Sequence, residues 1–147
     1  MTGLSEGGIL IAQVHQLAGR VFAKKLREHG LDGINPAQGR ILFSLWKGDG
    51  ISIRELAART KLQKSTLTSM LDRLETDGLL TRSHSREDRR VILIHLVKEH
   101  EIIRDLFNEV SNEMITLFYE GFLPEEIVGF ESQLKRIIRN LSPIDEE

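Results

Sequence analysis

The succession of breaks across residues 52–97 constrains this chain more than any other feature. Ser52 and Glu55 stand three apart just ahead of Leu56 and Ala57. In that capping-box spacing each side chain can satisfy the other residue's free backbone donor at a helix start. The helix is short, because Thr60-Lys61-Leu62 interrupts it. A second helix follows, with Leu67, Met70, Leu71 and Leu74 at i, i+3, i+4 and i+7. One face is therefore apolar, and Lys64, Ser65, Thr68, Ser69 and Arg73 lie near the opposite one. After Gly78 the pattern predicts strands over 79–84 and 90–96. In the second strand Ile92, Ile94 and Leu96 alternate onto one face, and Val91, Leu93 and His95 onto the other. The connection between the strands carries Arg86-Glu87-Asp88-Arg89-Arg90. Helix, turn, helix and basic hairpin, in that order, describe a winged helix-turn-helix.

The flanks read as helices. Leu10, Val14, Leu17, Val21 and Phe22 keep helical spacing to about Glu28. Asn35-Pro36 starts the next helix: Asn caps it, and proline at the first position loses no N–H bond. Ile41, Leu42, Leu45 and Trp46 form its inner face, and Gly48-Asp49-Gly50 ends it. A long helix from about Lys98 to Phe118 carries Ile102, Ile103, Leu106, Val110, Met114 and Leu117. The last begins at Pro124-Glu125-Glu126, with acids at its positive end, and bears Ile127, Phe130, Leu134, Ile137 and Leu141. The expected fold is mainly α with a small β-hairpin wing, a single domain over 1–147. Its winged core spans about 35–97, and helices at about 8–30 and 98–141 form a dimerisation region. Those flanking helices hold more apolar surface than a small winged helix can cover, so the chain is expected to pair with itself.

Composition removes whole classes of chemistry. With no cysteine there are no disulfides, thiolate nucleophiles or Cys-ligated zinc. No segment has the apolar length to cross a bilayer, and residues 1–8 lack the basic start and apolar run of a signal peptide, so a cytoplasmic location is expected. The net charge of −2 looks unsuited to nucleic acid until it is divided along the chain. Residues 1–50 hold six basic and four acidic groups, and residues 51–97 hold nine and six. Residues 98–147 hold five and twelve, so the acidity lies away from the basic hairpin. Local sign governs attraction to phosphate.

These features point to double-stranded DNA. A helix in the major groove reads base edges through polar groups near its N-terminal end, where Lys64, Ser65, Thr66, Thr68 and Ser69 stand. Arginines at a wing tip suit the narrow minor groove, whose negative potential is enhanced. Arg54, Arg73, Arg82 and Arg86 are candidate phosphate contacts, which would position the protein without reading sequence.

From about residue 35 onward the chain resembles the MarR family of bacterial and archaeal transcription regulators. The motifs carrying the resemblance are Asn35-Pro36-Ala37-Gln38, Glu55-Leu56-Ala57, Ser65-Thr66-Leu67-Thr68, Asp72-Arg73-Leu74-Glu75, Gly78-Leu79 and Asp88-Arg89-Arg90 followed by Leu96. Val97 stands where the family's wing has Thr, and Ser69 where it often has Arg, the strongest bidentate reader of guanine. Readout would then lean on Lys64, on threonine methyls and on DNA shape. The resemblance implies a homodimer on a pseudo-palindromic operator, most often a repressor. It makes Asp88 a brace for Arg90, with Arg89 or Arg90 entering the minor groove. It also implies that a small anionic or aromatic effector loosens DNA binding from a pocket between the first two helices, the wing domain and the fifth helix. His15 and Arg20 are candidates to face that pocket.

Other constellations are weaker. His15, His29, His84, His95 and His100 form no His-x-x-x-His pair, so no metal or other cofactor is expected. Gly48-Asp49-Gly50 is too short for a phosphate loop, and no nucleophile–base pairing stands out, so no catalytic residue is assigned. The alternative to a DNA-binding regulator is a winged-helix protein-interaction module without sequence-specific DNA binding.

Overall fold

The computed structural model describes residues 3, 5–31, 33–97 and 101–146. Its elements are α1 (Gly7–Glu28), α2 (Pro36–Trp46), β1 (Ile51–Ser52), α3 (Ile53–Thr60), α4 (Lys64–Thr76), β2 (Leu80–His84), β3 (Ile92–Leu96), α5 (Glu101–Phe118) and α6 (Pro124–Asp145). The expected mainly helical architecture with a small wing is present. His100 and the expected start of the fifth helix at Lys98 lie outside the described residues. The fold divides inside α5 into two compact units, Met1–Ser111 and Asn112–Glu147.

In the first unit, periodicity becomes core. Leu67, Leu71 and Leu74 of α4 are fully buried, with Ile41, Leu42 and Leu45 of α2, Leu56 of α3 and Ile94 of β3. Phe107 of α5 closes this core: its ring meets Phe22 edge-on at 5.4 Å and Trp46 at 5.2 Å. The expected stripe on α5 is shifted accordingly, for Phe107 is buried and Ile102 is exposed. Gly39 allows this closure, since a Cβ there would sit 2.7 Å from the Phe107 ring.

The sheet has three antiparallel strands in the order β1-β3-β2, one more than the hairpin expected. Ile51 pairs with Ile94 and Ser52 with Leu93, so Ser52 is both strand residue and helix cap. The wing strands pair from Leu80↔Leu96 to His84↔Ile92. At the end of α4, Gly78 takes φ +77°, and the Leu79 N–H reaches back to the Leu74 carbonyl at 2.9 Å. This left-handed exit suits glycine and turns the chain directly into the wing.

The two expected caps fare differently. At α2 the box is complete: Asn35 Oδ1 accepts from the Gln38 N–H at 2.8 Å, and Gln38 Oε1 from the Asn35 N–H at 2.9 Å. At α3 only half forms. Ser52 Oγ accepts from the Glu55 N–H at 3.1 Å, but the Glu55 carboxylate turns to Arg59 at 2.7 Å.

The second unit holds the end of α5 and all of α6. The rings of Phe118, Tyr119, Phe122 and Phe130 cluster, and the Tyr119 hydroxyl donates to Glu131 at 2.6 Å. Burial, then the Glu131 carboxylate, push the Tyr119 phenol up to about 12. Glu126 caps the start of α6 by accepting the Leu123 N–H at 2.9 Å. The helix runs on through Pro143, and none of its residues is buried.

Candidate nucleic-acid interface

The reading helix α4 begins at Lys64, with Gln63 as its N-cap. Ser65 and Thr66 therefore sit inside the first turn and do not start the helix. Lys64, Ser65, Thr66, Thr68, Ser69 and Arg73 are all exposed. Thr68 Oγ1 donates to the Lys64 carbonyl at 2.8 Å, which uses its only hydroxyl proton. What Thr68 can still offer a base edge is a methyl group and an acceptor.

The wing tip is ordered by its own side chains. Asp88 Oδ1 accepts the Arg90 backbone N–H at 3.1 Å, and the carboxylate receives the guanidinium on both oxygens, Nε at 3.0 Å and the terminal nitrogen at 3.1 Å. The guanidinium beside Asp88, then that backbone N–H, hold its carboxyl below the usual carboxylate range. The Arg90 side chain is nevertheless 92% exposed. It is held at its base and presented to solvent. Arg86 and Arg89 are also exposed. The Arg89 carbonyl accepts from His84 Nδ1 at 2.7 Å, which puts the imidazole proton on Nδ1. Ser85 Oγ accepts the Glu87 N–H at 3.2 Å, and the Ser85 N–H bonds the Val91 carbonyl at 2.8 Å. The tip is thus closed from both strands.

Arg82, expected as a phosphate contact, is paired within the protein. Its guanidinium, a quarter exposed, donates to Asp72 at 2.6 Å and Glu75 at 2.9 Å, both on α4. Its backbone N–H also donates to Glu75 at 3.1 Å. Glu75, then Asp72, push the guanidinium up, and the Arg82 hydrogen bond pulls the Glu75 carboxyl down. Two acids three residues apart on a helix share a face, which is legible; that a strand arginine lies across them is not. Arg54 on α3 is exposed.

A cavity of about 380 Å³ lies between the end of α2, the end of β3 and the start of α5, lined by Trp46, Asp49, Leu96, Glu101 and Arg104 among others. Asp49 also accepts the Leu96 N–H at 2.8 Å. His15 and Arg20, expected to face an effector, are exposed on α1 and do not line this cavity. Trp46 serves both as core and as wall, and Arg104 supplies a cation that the sequence reading missed.

The MarR family model matches residues 34–92. The Bacillus subtilis HTH-type transcriptional repressor MdtR is 40% identical over 96 residues, which cover 64% of this chain and 60% of that protein, under two thirds of its length. The uncharacterised HTH-type regulator YsmB of the same organism is 34% identical over 105 residues, 71% of each chain. Among solved structures, a mutant Escherichia coli MarR complexed with operator DNA aligns with a TM-score of 0.78 and 27% identity, covering 89% of this chain and 92% of that one. With the helix, turn, helix and braced wing in place, the chain belongs to the MarR family of DNA-binding transcription regulators.

Proposed function

We propose that the protein is a homodimeric, sequence-specific repressor acting in the cytoplasm, whose DNA binding is relieved by a small molecule. The observation that carries the reading is the wing: an arginine fixed by a bidentate carboxylate yet 92% exposed, beside a helix whose first turn presents Lys64 and Ser65. In this reading Lys64, Ser65, Thr66, Thr68, Ser69 and Arg73 face the major groove. Arg90 enters the minor groove, and Arg54, Arg86 and Arg89 meet phosphates.

Homodimerisation is supported in each unit separately. Ile9, Leu10, Ile11, Val14 and Leu17 of α1 are 42–65% exposed, and Ile137, Ile138, Leu141 and Ile144 of α6 are 41–66% exposed. Apolar residues in such runs mark an interface. A two-fold dimer would match a pseudo-palindromic operator with half-sites about one helical turn (~10 bp) apart. The cavity beside Trp46 and Arg104 suits a small aromatic acid, its ring against the indole and its carboxylate on the guanidinium.

Fluorescence anisotropy on labelled DNA from immediately upstream of the protein's own gene, with a scrambled duplex as competitor and two salt concentrations, tests the reading. Tight, salt-dependent binding that survives the competitor is expected. Binding displaced equally by scrambled DNA would favour the protein-interaction module.

A further inference from the structure

β2 is an edge strand, with β3 on one side only. Among the described residues, the hydrogen bonds from β2 to α4 are all made by Arg82. The backbone N–H of Arg82 is taken by Glu75, and its guanidinium spans Glu75 and Asp72. Three hydrogen bonds therefore join the strand that carries the wing to the helix that reads the groove. Both acids belong to α4, so the contact sets the angle between the two elements and leaves the tip itself alone. The hairpin is also held at its base, by Leu80 and Ile94 in the core and by the Leu79 N–H on the Leu74 carbonyl, and Arg82 is the tie farther toward the tip.

We propose that Arg82 is a positioning residue, locking the wing to the reading helix so that both meet DNA in one fixed relative orientation. This rests on the DNA-binding reading above. Operator binding demands that major-groove and minor-groove contacts form together, whereas non-specific binding along phosphates does not. Losing the lock should therefore cost specificity and leave non-specific affinity in place.

The test compares Arg82→Ala, Arg82→Lys and the double variant Asp72→Asn, Glu75→Gln with the parent, each checked for folding by circular dichroism. The probes are a duplex enriched by the parent from a random pool and an unselected random duplex, across a salt series. Arg82→Ala and the double variant should weaken the enriched duplex by roughly 2- to 30-fold, with random-duplex affinity and salt slope unchanged. Arg82→Lys should fall between, since an ammonium can bridge two carboxylates but lacks the rigid planar guanidinium that holds them in one geometry. Two results would overturn the proposal. One is a slope reduced by about one per arginine with both duplexes weakened alike, the mark of a phosphate contact. The other is tighter binding by the double variant, the mark of acids that merely repel DNA. A reading without DNA is available because the chain has no cysteine. Nitroxides at Asp77→Cys and Glu87→Cys, diluted with unlabelled protein, should give a narrow distance distribution in the parent and a broad one with Arg82→Ala. Equal widths would refute the lock. Failure of the parent to enrich any duplex would instead remove the regulator reading and leave the spin-label result standing.

Discussion

Replacing Asp88 with Asn separates what the wing brace does from what the wing charge does. The carboxylate holds the Arg90 guanidinium on two oxygens, and the arginine is otherwise 92% exposed. Exposed ion pairs add little to stability, so the melting temperature should barely move. The consequence falls on binding. An unbraced arginine must be immobilised when it enters the groove, which costs about 2- to 12-fold in affinity per wing. Against this, Asp88→Asn also removes a negative charge near phosphate, which favours binding. At physiological salt the Debye length is about 8 Å, which screens the repulsion between the exposed carboxylate and phosphate, so the ordering cost should win. Arg90→Ala behaves differently, because each phosphate neutralisation contributes about 0.9 to the salt slope. Between 50 and 200 mM salt, two such losses should shrink the parent-to-variant affinity ratio by about 12-fold. For Asp88→Asn the ratio should stay constant over the same range. Anisotropy titrations at the two salt concentrations measure both. Tighter binding by Asp88→Asn, or a ratio that collapses with salt, would refute the brace. The pH sign agrees: a carboxyl held below its usual value stays ionised above the ordinary carboxylate pKa, and its contribution is lost only as pH falls through the lower folded value. Affinity lost through the brace should therefore be flat from neutral to mildly acidic pH.

Leu71→Ala, at a fully buried α4 position, should cost about 2–5 kcal/mol by chemical denaturation, through lost transfer energy and an unfilled cavity. Gly39→Ala sets a helix-propensity gain of about 1 kcal/mol against overpacking of about 1–3 kcal/mol. Phe107 is wedged between Phe22 and Trp46 and cannot yield freely, so a lower melting temperature is expected and a higher one would contradict the packing. Leu141→Glu, at a 60% exposed position of α6, should shift the protein toward monomer in sedimentation with helicity kept. Trp46 is the only tryptophan, so its emission should respond to substituted benzoates, and Arg104→Ala should abolish the response if the cavity takes an anionic ring.

What was legible in the sequence was local. The α4 stripe could be read because Leu67, Leu71 and Leu74 repeat within two turns, and the wing tip because three arginines around Asp88 have no structural need of one another. Phe107 was legible too: with Ile103, Leu106 and Val110 it keeps the i, i+3, i+4, i+7 spacing, and Ile102 is out of phase with that run. Competition hid other features. Glu55 could cap Ser52 or pair with Arg59 one turn on, and both are good local bonds, so spacing alone could not choose. Distance hid the rest. β1 is two residues long, too short to show a period, and exists only because β3 lies beside it some 40 residues later in the chain.

Arg82 marks the boundary between these cases. From sequence, an arginine near a basic hairpin is a phosphate contact, and local charge supports it. The fold brings the strand back across the helix, and the acids at Asp72 and Glu75 become its partners. Pairing within the protein takes one cation and two acids out of residues 51–97, so the eight cations left face only four acids. The exposed cations are spread over α3 (Arg54, Arg59), the turn after it (Lys61), α4 (Lys64, Arg73) and the wing tip (Arg86, Arg89, Arg90). Phosphate contacts along such a surface position the protein without reading sequence, and readout falls to the start of α4 and the wing tip. That readout depends on two small contact regions being held in register, which is why the contact between them should matter more to specificity than any single exposed charge.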